Sequence, residues 1–316
     1  MPAPEKLICV VGPTACGKTT LGVQIAKRYN GEVVSIDSMQ IYRGMTIGTA
    51  APTEAETEGV PHHMVGVAGP EESWSAARFV QAADACIQDI LGRGRRPVLV
   101  GGTGLYLDAV LAGRAFAPGE AGGAVRRELE DRLEREGAAP LLAELERVDP
   151  ESAARLHGGD HKRILRALEV YRETGKPLSQ HHREDRQRPG KYGSVCIGLA
   201  FRDREDMKRL IDRRVDGMMA AGLLEEVRAL AEAGVPRRST AMQAIGDKEL
   251  LGVLDGTATA EEAAAMVKLR SRQYAKRQLT WLRRNADIHW IYWEKKRDFA
   301  YALQIATEIL TAQGIQ

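Results

Sequence analysis

The stretch GPTACGKTT, residues 12–20, directly follows the apolar run LICVV and places Gly12, four residues, then Gly17, Lys18 and Thr19. No other feature narrows the possible folds as much. A glycine-rich loop of this spacing wraps an anion without Cβ clashes, and its N–H groups converge at the N-terminus of the helix that follows. Gly12, Pro13, Thr14, Ala15, Cys16 and Gly17 form the cradle, Lys18 adds a point charge, and the Thr19 hydroxyl can ligate Mg²⁺. The loop needs a strand before it and a helix after it. LICVVG (7–12) reads as the strand, and a helix is expected from Lys18 to about Tyr29. A bound poly- or pyrophosphate follows. A nucleotide hydrolase, a kinase and an enzyme that discards pyrophosphate would all begin this way.

Four more short apolar runs read as strands buried on both faces: EVVSID (32–37), PVLVGG (97–102), SVCIGLAF (194–201) and IHWIYW (288–293). Helical patterns fall between them. One runs from about Ser75 to Leu91 with Phe79, Ala83, Ile87 and Ile90 on one face. Alternation of this kind predicts an α/β fold: a phosphate-loop parallel sheet flanked by helices. Residues 113 to about 190 break the rhythm. AVRRELEDRLEREG and PLLAELERVD are charged amphipathic helices; DPESAARLHGG starts with Asp149 as N-cap and Pro150 at the first helical position; DHKRILRALEVYRETG carries Ile164, Leu168 and Tyr171 on one stripe and stops at Gly175. The organisation expected is a core of residues 1–112 and 194–316, with C-terminal helices, interrupted by an all-helical insertion at 113–193. Residues 181–191, HHREDRQRPGK, read as an exposed charged link back to the core.

Composition excludes several classes. With 316 residues, 44% apolar and 28% charged, the chain can bury a sizeable core and stay in water. No run approaches the ~20 apolar residues of a membrane span. Cys9, Cys16, Cys86 and Cys196 form no CxxC pair, which argues against a zinc or redox motif and for a reducing compartment, the cytoplasm. A monomer is the expectation.

Asp37 closes the second strand, at the carboxyl edge where α/β sheets bind ligands. A carboxylate there can hold Mg²⁺, take a proton from a nucleophile, or simply cap a turn. The third strand ends in Gly101, Gly102 and Thr103, with no acid to hold a second side of a metal, so the machinery of ordinary phosphoryl transfer is incomplete.

Together GPTACGKT, DSMQIYRGMTIGTAAPT, PHHM, PVLVGGTGLYL, DPESAARLH, RALEVYRETGKPLS and KRQLTWLRR, in order along almost the whole chain, resemble the bacterial tRNA dimethylallyltransferases (tRNA isopentenyltransferases). The resemblance implies transfer of a dimethylallyl group from dimethylallyl diphosphate to N6 of the adenosine just 3′ of the anticodon. It assigns Gly12 to Thr19 to the diphosphate and Mg²⁺, Asp37 to the general base, and Thr103 to the reacting centre. Arg214, in RLIDRRVDGMM, matches an arginine thought to bind pyrophosphate, although Arg213 is adjacent. The anticodon stem-loop is the implied partner, held by the core and the helical insertion, with its contacts matching Asp37, Ser38, Met39 and Gln40; Thr103; Arg126; Lys162, Arg163, Ile164, Leu165 and Arg166; and Met242, Gln243, Ala244, Ile245, Gly246 and Asp247. Basic side chains among these would meet phosphates, and any single one could equally be a solvated helix charge.

Residues 268–284 hold seven Lys or Arg and no acid, and as a helix they set Arg270, Tyr274, Arg277, Trp281 and Arg284 on one stripe. The aromatics read as core residues and the arginines as mixed. The adjacent His62 and His63 read as loop structure rather than metal ligands. Three positions depart from the family pattern. Cys16 replaces a serine or alanine and would make the loop thiol-sensitive. Gly158-Gly159 replaces Pro-Asn, loosening a hinge. Asp247 stands where tyrosine is expected, and an acid there would repel RNA phosphate. The rivals are an adenylate isopentenyltransferase, which would not need the long basic insertion; a small-molecule kinase, which would need an arginine lid and a second acid; and a non-catalytic RNA-binding module, which the intact Gly-Lys-Thr argues against.

Overall fold

Strands that are apolar on both faces can pair only where helices cover both sides of the sheet. The computed structural model describes residues 6–114, 116–117 and 123–316. In chain order its elements are β1 (Lys6–Val11), α1 (Lys18–Arg28), β2 (Gly31–Ile36), α2 (Glu54–Thr57), β3 (His62–His63), α3 (Ala76–Gly92), β4 (Arg96–Gly101) and α4 (Gly104–Ala112). Five helices follow: α5 (Ala124–Glu136), α6 (Ala138–Val148), α7 (Pro150–Ala153), α8 (His161–Thr174) and α9 (Leu178–Gln187). The chain then returns through β5 (Gly193–Phe201), α10 (Arg204–Ala220), α11 (Leu223–Glu232), α12 (Asp247–Leu254), α13 (Ala260–Leu282), β6 (Ile288–Trp293) and α14 (Phe299–Ala312).

The six strands form one sheet in the order β3-β2-β4-β1-β5-β6, and every pairing is parallel. This is the α/β class expected. Two details lie outside the sequence reading. His62–His63 is a sixth, edge strand, too short to leave a pattern; His63 Nε2 meets Glu32 Oε2 at 2.7 Å and His62 Nδ1 meets the Val60 carbonyl at 2.8 Å, so both histidines are structural. The strands β1 and β2 are not neighbours either, because β4 lies between them. The register nevertheless levels their ends: Val11 pairs with Gly101, and Gly101 pairs with Ile36. The segments beginning at Gly12, Gly102 and Asp37 therefore leave the sheet side by side.

The chain divides into two units, one of residues 1–74, 78–111 and 191–316, the other of residues 75–77 and 112–190. In the first, α3 lays Phe79, Ala83, Ile87 and Ile90 on its buried side, the stripe read from the sequence. The second unit has its own apolar core, where Leu129 of α5, Leu141 and Leu145 of α6, and Ile164, Leu165 and Leu168 of α8 meet. Arg172 forks from Glu128 to Glu144, both at 2.9 Å, and ties α8 to α5 and α6 on the wet side. Asp149 caps α7 and also accepts from the Ser179 N–H at 2.9 Å. The charged link expected at 181–191 is mostly the helix α9. A run of Glu, Arg and Gln has good helix propensity, and Lys176–Glu184 and Arg183–Glu151 pairs anchor its polar side.

Leu168 is fully buried at the centre of that second core. Leu168→Ala should cost about 2–5 kcal/mol of stability, read as a lower urea midpoint for loss of helical circular dichroism; an unchanged midpoint would contradict this packing.

Candidate active site

The loop after β1 is shaped by glycine where nothing else fits. Gly12 has φ +152°, and a Cβ there would strike the Leu199 carbonyl on β5. Gly17 has φ +91°, and a Cβ there would sit 2.8 Å from the Phe299 ring. Ala15 also takes a left-handed backbone, φ 64°, a conformation L-residues rarely adopt. Contacts from distant parts of the chain hold this shape. Trp293 Nε1 donates to the Cys16 carbonyl at 2.8 Å. The Thr14 N–H donates to Gln278 Oε1 at 2.8 Å, so it is turned to α13 rather than into the anion cradle. Lys18 Nζ lies back along the loop and donates to the Pro13 carbonyl at 2.7 Å.

Asp37 follows β2 directly. Its Oδ1 accepts from the Met39 N–H at 2.9 Å and the Gln40 N–H at 3.4 Å, so the carboxylate does cap a turn, as one sequence reading had it. It also lines the cleft. Gln40 is a brace: it accepts from Ser35 Oγ at 2.8 Å and donates to the Ala50 carbonyl at 3.0 Å, fixing the 46–51 loop over the sheet edge. Glu226 of α11 grips the same loop, accepting from the Ile47 and Gly48 N–H groups at 2.8 Å each.

These elements enclose a cleft of about 700 Å³ walled by Lys18, Thr19, Asp37, Arg214, Tyr274, Gln278 and Arg297, among others. A second hollow of about 290 Å³ opens from it. Asp37, Ser38, Met39, Arg214 and Tyr274 border that hollow, together with the apolar side chains of Ile211, Val215, Met218, Ile245 and Val267. The polar cleft and the apolar hollow thus meet at Asp37 and Arg214. Burial lowers the Arg214 pKa, and the Asp37 carboxylate opposes that shift. Arg214 has no ion pair or hydrogen bond among the described residues, whereas Arg213 is exposed. Burial pushes the Tyr274 phenol up to about 12, and the charge of Asp37 adds to it. The Thr103 hydroxyl is buried without a well-formed hydrogen bond, beside that phenol.

Mg²⁺ fits the donors at this cleft. No cluster of three His, Cys, Asp or Glu exists among the described residues, which is the usual case for an ion that keeps much of its water and shares phosphate oxygens. Thr19 and Asp37 both offer hard oxygen atoms to the same cleft.

Several sequence-assigned residues stand elsewhere. The Cys16 side chain is 0% exposed, and burial pushes its thiol up against the pull of Lys18; the expected thiol sensitivity is not supported. Ile164 and Leu165 are core residues of the second unit, because the α8 stripe that packs its leucines needs them. Met242 and Asp247 are each 0% exposed and Gly246 is buried, so their side chains do not present themselves to RNA; of this segment Gln243, Ala244 and Ile245 line the hollow. In the second unit Arg126 pairs with Glu130 at 2.7 Å, and Arg163 with Asp160 at 2.6 Å. Arg166 binds Glu169 and the Ala117 carbonyl, and Lys162 is exposed. Tyr274 is in the cleft wall, not the core. Trp281 is half-buried, its Nε1 donating to Asp108 at 2.9 Å and its ring capped by Arg284 at 4.3 Å. Gln278, Glu226 and Arg297 were missed. Each acts across more than 100 residues of chain, and nothing local marks it.

The family model described as IPP transferase matches residues 40–285, and the model described as isopentenyl transferase matches residues 5–64. The chain is 46% identical over 295 residues to tRNA dimethylallyltransferase 1 of Pelobacter propionicus, covering 93% of this chain and 95% of that protein. It is 46% identical over 300 residues to tRNA dimethylallyltransferase of Geobacillus thermodenitrificans, covering 95% and 94%. Among solved structures it resembles the full-length tRNA isopentenylpyrophosphate transferase of Bacillus halodurans, with TM-score 0.72, 42% identity and coverage of 97% and 96%. A eukaryotic dimethylallyltransferase acting on tRNA matches with TM-score 0.84 and 30% identity, over 99% of this chain and 80% of that one.

Two outcomes test this geometry. Cys16 should resist alkylation in the native protein and react only on unfolding, as read by peptide mass spectrometry; rapid native labelling would show an open loop. Asp247 has no hydrogen-bond partner for either carboxylate oxygen among the described residues. Burial, with the charge of Glu226 beside it, raises its pKa from 3.8 to about 7. The folded state therefore holds this proton more tightly, and the stability tied to it is full below about pH 4 and falls as pH rises towards about 7. Asp247→Asn escapes that loss. It should be more stable than the parent at pH 8, by a difference on the order of 4 kcal/mol that vanishes near pH 4.

Proposed function

Since the chain belongs to the IPP transferase family, the tRNA dimethylallyltransferases, we infer that it moves a dimethylallyl group onto tRNA, from dimethylallyl diphosphate to N6 of the adenosine 3′-adjacent to the anticodon. The observation that carries this reading is the meeting, at one sheet edge, of a phosphate cradle, an apolar hollow and a carboxylate. The strand β4 leads into Gly101-Gly102-Thr103 and brings no acid, so the site is equipped to hold a departing diphosphate rather than to pass on a terminal phosphate.

The donor's diphosphate lies on the loop from Gly12 to Thr19, with its five-carbon tail in the hollow beside Ile211, Val215 and Val267. The bond between the allylic carbon and oxygen breaks, and its electron pair goes to the diphosphate. Lys18, Arg214 and the loop N–H groups stabilise that charge as it forms. Thr19 would hold Mg²⁺, which supplies further positive charge at the phosphates. The N6 lone pair forms the new carbon–nitrogen bond, and Asp37 takes the N6 proton. The amine is a weak nucleophile because its lone pair is spread into the ring, and base assistance is typically worth about 10²–10⁴-fold. Thr103, beside Tyr274, positions the base. The target adenine must leave its stack to reach Asp37. Arg126, Lys162, Arg163 and Arg166 meet tRNA phosphates from the second unit, each exchanging an internal carboxylate or solvent for phosphate. The enzyme acts as a monomer.

A single incubation with Mg²⁺, dimethylallyl diphosphate and unmodified tRNA, with AMP in a parallel vessel, tests the reading by nucleoside mass analysis. The expected product is N6-prenylated adenosine from tRNA alone; prenylated AMP would favour the cytokinin-forming reaction. Asp37→Asn should retain tRNA affinity and lose about 10²–10⁴-fold in kcat. Full turnover by that variant would remove Asp37 from proton transfer.

A further inference from the structure

Arg297 belongs to no motif in the sequence, and it lies in the five-residue connection from β6 to α14. That connection is fixed at both ends to the phosphate loop. At one end Trp293 donates its Nε1 to the Cys16 carbonyl at 2.8 Å. At the other the Phe299 ring covers Gly17, and the two rings pack edge to face at 5.4 Å. Asp298 caps α14 by accepting from the Tyr301 N–H at 3.0 Å, so the residue just before it has a defined exit direction. Arg297 Cδ lies 3.4 Å from where a Cβ on Gly17 would be. Its guanidinium sits 5.6 Å from the Phe299 centroid. It lines the same cleft as Lys18 and Arg214 and contributes to lowering the Arg214 pKa.

The neighbouring charges are otherwise engaged. Glu294 pairs with Arg202 at 2.8 Å, and Glu56 closes its own capping box with Thr53. Arg297 has no ion pair and no hydrogen bond among the described residues. An arginine held over a phosphate cradle and left without an acid is arranged for a planar, bidentate anion. We infer that Arg297 is a third cationic ligand of the diphosphate, closing the mouth of the loop from the C-terminal side. Lys18 and Arg214 face the anion from the loop and from α10; Arg297 covers the side they leave open. As C–O cleavage adds charge to the leaving group, a guanidinium at this point stabilises the diphosphate more than the intact donor. Trp293 and Phe299 therefore make the C-terminal segment part of the binding site, not only of the core.

This inference rests on the proposed diphosphate site, and the test separates the two. Binding of inorganic pyrophosphate with Mg²⁺ is measured by calorimetry for the parent protein, Lys18→Ala, Arg297→Gln and Arg297→Lys. Binding of tRNA is followed at several salt concentrations. The expected result is parent binding, loss in Lys18→Ala, and weakening by about tenfold or more in Arg297→Gln with partial retention in Arg297→Lys. The KM for the prenyl donor should rise, and tRNA affinity and its salt slope should stay unchanged. Because Arg297 is exposed, the melting temperatures without ligand should match. Parent-like pyrophosphate binding by Arg297→Gln, with weaker tRNA binding and a shallower salt slope, would make Arg297 an RNA phosphate contact and overturn the inference. No pyrophosphate binding by the parent would overturn the diphosphate site itself.

Discussion

Hydrogen bonding between parallel strands sets their register, and in this sheet the register does more than stabilise. Val11, Gly101 and Ile36 lie opposite one another at the carboxyl ends of β1, β4 and β2. Gly12, Gly102 and Asp37 are the next residues out, with Thr103 one further. No loop has to reach across the sheet to bring these segments together. A shift of one strand by a single residue would flip its side chains to the other face and move its outgoing residue by roughly 3.3 Å, a full hydrogen-bond length.

Once the edge is level, the C-terminal third of the first unit supplies its walls. The helix α13 brings Gln278 to the Thr14 amide and Tyr274 to the side of Thr103, so one element touches both the loop after β1 and the segment after β4. Its charges divide by position. Arg272 forms a pair with Asp212 at 2.7 Å to both carboxylate oxygens, and Lys268 pairs with Asp216, binding α13 to α10. Arg277 is exposed and faces the hollow. The strand β6 and helix α14 then lock the loop from beyond, through Trp293 and Phe299. Electrostatically the cleft is asymmetric: Lys18, Arg214 and Arg297 stand around the cradle, and Asp37 is the acid where cradle and hollow join.

What local sequence could and could not convey follows from the range of each interaction. The phosphate loop is legible because its conformation is imposed by glycines within six residues. Asp37 is legible because strand ends are. The cap at Asp149 and the stop at Gly175 are legible because helix ends are local. The apolar stripe of α8 was legible too. It outweighs the motif match at Ile164 and Leu165, because a buried leucine stripe stabilises the second unit whatever its neighbours touch. Asp247 illustrates the opposite limit. A charged residue that opens a helix looks like surface, yet Glu226 has already claimed the loop amides and Asp247 is enclosed behind them.

The amino-acid sequence alone determined the fold class, the phosphate loop and the helical nature of the insertion, because each depends on periodicity or on spacing within a few residues; the family was legible from the resemblance of motifs spread along almost the whole chain. The tertiary structure alone decided that β4 separates β1 from β2, that Tyr274 is a wall of the site, that Cys16 and Asp247 are sealed, and that Arg297 stands over the cradle. Those depend on which distant segments the sheet order and α13 bring within a few ångströms. Contacts of that kind leave no local trace in the chain.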